Sequence, residues 1–147
     1  MGTRNNAKAI GEKGQNCVIG EFAKWDITVA IVLSDNLPYE MIAIVNDKLF
    51  KVQVKTSARV TKNGAVEFDL TSNNWNKGTV TKYTAEDCDV FVCYDLTSHS
   101  AYLLAPKEFA NRKSFTIRRV ASKNNQGANC NMHDNFVMSE KRIGDVF

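Results

Sequence analysis

Residues 41–56 constrain the fold more tightly than any other stretch of the chain. Met41-Ile42-Ala43-Ile44-Val45 is a run rich in β-branched residues, Asn46-Asp47 is a pair that tolerates positive φ, and Phe50-Lys51-Val52-Gln53-Val54-Lys55-Thr56 alternates cleanly. Two strands joined by such a pair form a tight antiparallel hairpin. Because side chains alternate along a strand, Phe50, Val52 and Val54 take one face and Lys51, Gln53 and Lys55 the other. The apolar face needs a core to lie against. The hairpin also brings the end of Leu37-Pro38-Tyr39-Glu40 back beside Gln53 and Lys55, so that an acid, an amide and an amine gather at strand spacing. An ordinary amphipathic hairpin with a solvated polar face has the same pattern, and spacing alone leaves both readings open.

The rest of the chain supplies layers for such a hairpin. From Asn6 to about Lys24, Ile10, Cys17, Val18 and Phe22 recur at near-helical spacing with no proline between them, which predicts a long first helix. Glu12 falls on this helix with one side turned partly toward the sheet. Ile27 to Leu33 reads as the first strand, ended by Ser34-Asp35-Asn36, and Val66 to Leu70 as a half-exposed strand after the Asn63-Gly64 turn. Thr71 to Gly78 has loop composition and carries Trp75, a residue that can anchor by packing or stack on nucleic acid. Cys88 to Tyr94 reads as a buried strand paired with Ser100 to Leu104, Pro106 opens a short helix through Phe109, and Ser114 to Val120 is the last strand. Residues 122–147 are expected to be an extended or partner-ordered tail.

At 147 residues, 44% hydrophobic and 24% charged, the chain has the size and composition of a single domain spanning residues 1–147 with a core of its own. No apolar run approaches the roughly 20 residues of a spanning helix, so no membrane partner is expected. Cys17, Cys88, Cys93 and Cys130 lack paired metal spacing and read as reduced, packed thiols, which fits a cytoplasmic protein. A net charge of +3 is only mildly favourable to a polyanion. The distribution says more: Arg59, Lys62, Lys77, Lys82, Arg112, Lys113, Arg118 and Arg119, with Lys123, are candidate phosphate contacts, although a solvated basic surface would look the same.

Gly11-Glu12, Tyr39-Glu40 and Gln53-Val54-Lys55-Thr56 together resemble the motifs of the PD-(D/E)XK nucleases, in the variant where glutamine replaces the second acid. The similarity is greatest to the small members associated with group I introns, and it extends through the strand from Asp87 to Tyr94 and the segment from Ala101 to Pro106. It implies an α/β (α+β) fold with a mixed central sheet and a long N-terminal helix. It further implies a Mg²⁺- or Mn²⁺-dependent, sequence-specific endonuclease acting on double-stranded DNA as a homodimer or dimer of dimers, at a bacterial nucleoid or encoded by a phage. Carried over residue by residue, Glu12, Glu40, Gln53 and Lys55 would be catalytic, with Glu40, Gln53, the Val54 carbonyl and Glu12 as metal ligands.

One position departs from the pattern, since the family has aspartate where this chain has Glu40. Magnesium demands near-octahedral geometry, and a carboxylate one methylene longer displaces an oxygen by roughly one bond. Either the site has shifted to accept glutamate, or the change was introduced to hold DNA uncleaved. Two further functions stay open at this level. A Holliday junction resolvase resembles the same helix-strand-strand site, and a nuclease scaffold silenced at Glu40 would be a DNA-binding module alone.

Overall fold

The computed structural model describes the backbone of residues 3–74, 76–121 and 130–147, and side chains from residue 6 onward within those ranges. Helix α1 (Thr3–Lys24) carries the N-terminal pattern to its end. It stops in a Schellman motif: Asp26 takes φ 54°, its amide donates to the Ala23 carbonyl at 3.1 Å, and the Ile27 amide donates to the Phe22 carbonyl at 3.0 Å. Phe22 and Ile27, the two side chains this motif brings together, are both buried in the same cluster.

β1 (Thr28–Ile31), β2 (Met41–Val45), β3 (Lys48–Ser57), β7 (Val90–Asp95) and β8 (Ser100–Leu104) form one sheet in the order β1-β2-β3-β7-β8. All pairings are antiparallel except β3–β7, which is parallel, so the sheet is mixed with β3 at its centre. Asn46 and Asp47 take φ 50° and 62° and close the β2–β3 hairpin in the two-residue form expected for such a pair. β1 is shorter than the segment from Ile27 to Leu33 that composition favours. Ile27 turns into the core at the helix end, whereas Leu33 stands 95% exposed beyond the last pairing.

The sheet has two covered faces. On one, Val18 and Phe22 of α1 pack against Met41, Ala43, Val52, Val54, Val90 and Val92. On the other, Phe91, Cys93, Tyr102 and Leu104 meet a second, two-stranded sheet made by β4 (Ala65–Asp69) and β9 (Ser114–Arg118), through Val66, Phe68, Phe115 and Ile117. Gln53 pairs with Phe91 and Lys55 with Cys93, so the polar residues of β3 lie on this second face. That face is roofed rather than bathed in water. Short helix α2 (Pro106–Phe109) closes the same layer with the buried Phe109.

Two segments differ from their sequence reading. The stretch with loop composition is half of a hairpin, β5 (Thr71–Asn74) with β6 (Thr79–Lys82), turned by Gly78 at φ 60°. Both strands are exposed apart from Thr71, so no apolar alternation marks them. The C-terminal stretch, expected to be extended, is folded onto the sheet over the part described. Residues 133–135 make a 3-10 turn, and α3 (Glu140–Val146) starts at Ser139, whose hydroxyl accepts from the Arg142 amide. Arg142 donates from Nε and Nη to the Leu103 carbonyl at 3.1 and 2.8 Å, and Phe147 packs edge-on against Phe50 and Phe22. A seven-residue helix secured by contacts so distant in sequence has no local signature.

Gly14 marks a close approach of α1 to the sheet, because a Cβ built there would collide with the side chain of Thr56 on β3, whereas Gly11 and Gly20 face open space. Gly14→Ala is therefore expected to destabilise by about 1–3 kcal/mol through overpacking. Gly11→Ala and Gly20→Ala should each stabilise by about 0.5–1 kcal/mol through helix propensity. Urea unfolding of the three variants checks the contrast in sign.

Candidate active site

Backbone pairing places the site. The Glu40 amide donates to the Val52 carbonyl at 2.9 Å and its carbonyl accepts from Val32 at 3.1 Å, which pins Glu40 between the end of β1 and the middle of β3. Carbonyls of alternate strand residues point to the same side. Val52 aims its carbonyl at Glu40, while Lys51 and Ser57 aim theirs at Asp89 and Leu96 on the β7 side, so the Val54 carbonyl points to the Glu40 side, beyond the first pairing of β2.

Side chains converge from the roofing hairpin. Lys55 Nζ donates to the Thr71 carbonyl at 2.6 Å and lies 5.2 Å from the centroid of the Tyr83 ring. Gln53 Nε2 donates to the Tyr83 hydroxyl at 3.2 Å, while Gln53 Oε1, also buried, has no hydrogen-bond partner. A cavity of about 450 Å³ joins Glu40, Gln53, Tyr83, Ser72 and, from α1, Gln15.

Burial works against both charges here. Desolvation raises the Glu40 carboxyl above the ordinary glutamate range, and the nearby Lys55 ammonium offsets only part of this. Desolvation likewise lowers Lys55, and Asp69, then Glu40, pull it partly back. Asp69 is the charged residue that sequence reasoning passed over. It sits at the end of β4 and accepts from the Thr71 amide at 2.8 Å and hydroxyl at 2.6 Å, thereby holding the residue whose carbonyl receives Lys55. Tyr83, Ser72 and Gln15 were equally invisible, since their roles come from contacts between elements far apart in sequence.

Among the described residues, no cluster of three or more His, Cys, Asp or Glu is placed to hold a metal ion. An ion held here would rest on fewer than three such side chains, supplemented by neutral oxygens. The recess fits that requirement: divalent ions of the magnesium class take oxygen donors, and Gln53 Oε1 is a buried acceptor that otherwise carries an uncompensated desolvation cost. Glu12 stands exposed on α1, and the α1 side chain that lines the cavity is Gln15, one turn later.

The candidate phosphate contacts divide by position. Lys77 and Lys82 are exposed and line a cleft of about 540 Å³ between the Asp35–Pro38 loop and the β5–β6 hairpin, which shares Asp35, Leu37, Ser72 and Tyr83 with the site cavity. Arg112 and Lys113 are exposed in the turn before β9, where the Asn111 amide donates to the Tyr83 carbonyl at 2.8 Å. Arg59 and Lys62 are exposed after β3. Arg118 reaches the Asn63 carbonyl at 3.5 Å, and Arg119 forms a 3.2 Å ion pair with the fully buried Asp95. Trp75 and Lys123 lie outside the described residues.

A sequence profile for PD-(D/E)XK endonucleases matches residues 5–139. The chain belongs to that family. A solved bacterial homing endonuclease, I-Ssp6803I, is similar to this PD-(D/E)XK endonuclease with a TM-score of 0.63 and 25% identity, over 84% of this chain and 81% of that one. No curated protein matches in sequence. The mixed sheet with its N-terminal helix is the fold that the sequence resemblance implied. No helix among the described residues is long and apolar enough to cross a membrane.

The opposing charge effects give a titration with a definite sign. Because the folded protein holds Glu40 above its ordinary value, the stability linked to this group is full below about pH 4.5 and is lost as pH rises through the shifted value. Unfolding of Glu40→Gln should therefore gain on the parent protein between acid and neutral pH, with no relative gain at acid pH. The Lys55 amine, followed by ¹⁵N shifts, should titrate below the usual lysine range, and Asp69→Asn should move it lower still.

Proposed function

We propose that this PD-(D/E)XK endonuclease hydrolyses double-stranded DNA at specific sites, with Mg²⁺ or Mn²⁺ as cofactor, in the manner of an intron-homing enzyme. The observation that carries this reading is the buried, unpartnered oxygen of Gln53, a residue that lines one recess with Glu40, whose charge Lys55 is near enough to offset. The similarity to a homing endonuclease and the motif resemblance support the substrate class.

Glu40, Gln53 Oε1 and the Val54 carbonyl would hold the ion. When bound, such an ion supplies charge to offset the developing negative phosphate and the leaving oxygen. Lys55, lowered by burial yet tied to the Thr71 carbonyl, is poised to orient the attacking water and to exchange a proton with it. Lys77 and Lys82 would seat the backbone in the adjoining cleft, where each contributes a salt-sensitive contact without reading sequence. Glu12, exposed on α1, would reach the site only through water or DNA. Cutting both strands requires two copies of this site, which a two-fold symmetric dimer, or a dimer of dimers, provides.

Plasmid cleavage with Mn²⁺ tests the reading. Lys55→Ala should slow cleavage by about 10²–10⁴-fold, the usual worth of a positioned proton-transfer group. Glu40→Asp should change the rate by roughly a hundredfold in whichever direction the site geometry favours. An unchanged rate in Lys55→Ala would contradict the assignment. Gln53→Glu, which adds a negative charge, should tighten Mn²⁺ binding measured by calorimetry.

A further inference from the structure

Gln53 can serve a cation only in one of its two amide orientations. With Oε1 toward the cavity it offers a neutral oxygen donor, whereas with Nε2 there it presents two N–H groups that repel an ion. Strand geometry does not choose between them, because β3 fixes only the Cα–Cβ direction. The choice falls to whatever touches the far end of the side chain.

Tyr83 makes that contact. Its hydroxyl accepts from Gln53 Nε2 at 3.2 Å. The residue is 6% exposed and fixed from three directions: its ring meets Phe91 edge-on at 5.0 Å between centroids, its carbonyl accepts from Asn111 at 2.8 Å, and Lys55 Nζ lies 5.2 Å from its ring centroid. Ser72, which lines the same cavity, is a hydrogen-bond partner of the Tyr83 side chain. The phenol oxygen takes up the Nε2 end of the amide, which leaves Oε1 as the end without a hydrogen-bond partner.

We infer that Tyr83, backed by Ser72, is a positioning residue that sets the Gln53 amide with its oxygen toward the ion. The inference rests on the metal-binding reading of the site given above, and it adds a reason for the glutamine itself: a neutral ligand needs a partner to orient it, whereas a carboxylate presents oxygen either way. The β5–β6 hairpin, which carries Ser72 and leads into Tyr83, thereby connects the DNA-side cleft to the ligand set.

The test compares Tyr83→Phe in two backgrounds, the parent chain and Gln53→Glu, because phenylalanine keeps the ring packing and removes only the hydroxyl. Mn²⁺ titration by calorimetry should show about 10–100-fold weaker binding for Tyr83→Phe in the parent chain, the usual effect of losing an outer-shell partner, and no weakening in the Gln53→Glu background. Equal weakening in both, or none in either, would overturn the inference. A metal-free readout runs alongside. In the parent protein the two Gln53 side-chain N–H resonances should be widely separated and protected from exchange, and Tyr83→Phe should collapse both features. Unchanged resonances would refute the orienting role whatever the metal does. A parent chain that binds no Mn²⁺, yet shows the resonance collapse, would instead sink the metal reading and leave the orienting contact standing.

Discussion

Everything at the site depends on the parallel pairing of β3 with β7. It puts β3 in the middle of the sheet, so Gln53 and Lys55 share a face with Phe91 and Cys93 and are roofed by a second layer. Had β3 been an edge strand, the same alternation would give a solvated polar face with ordinary side-chain chemistry. Under the roof, water is scarce, and each polar atom must be satisfied by a specific neighbour or carry a cost of about 1–3 kcal/mol. Lys55 is met by the Thr71 carbonyl and Gln53 Nε2 by Tyr83, while Gln53 Oε1 is left over. Enclosure thus turns a strand pattern into a reactive set.

The same enclosure explains why the site tolerates a sparse acid count. With one carboxylate at the centre, a buried ammonium beside it is only partly offset, and the balance depends on Asp69 across the β4–β5 junction. Replacing Gln53 by an acid would add a second burial penalty for charge, which an ion would offset only when bound. A neutral glutamine spares the recess that second penalty.

Much of this was legible in the sequence, for identifiable reasons. The β2–β3 hairpin, its Asn46-Asp47 turn, the long first helix and the buried β7–β8 pair announce themselves through periodicity and turn chemistry within windows of a few residues. The convergence of Glu40 with Gln53 and Lys55 follows from the hairpin register. What could not be read are features set by contacts between distant segments. The β5–β6 hairpin has exposed polar strands, α3 is held by Arg142 and Phe147 against β8, β3 and α1, and Tyr83 and Asp69 acquire meaning through Gln53 and Lys55, which lie far from them in sequence. Likewise Glu12 and Gln15 occupy neighbouring turns of one helix, yet it is Gln15 that lines the cavity wall.

The central claim is that Glu40, the Gln53 amide oxygen and the Val54 carbonyl jointly hold a divalent ion beside Lys55. Anomalous scattering from crystals soaked in Mn²⁺ tests it most directly. A single strong peak within bonding distance of those three oxygens is the predicted result. A peak coordinated away from Gln53, or manganese bound only at surface carboxylates with the recess empty, would contradict it.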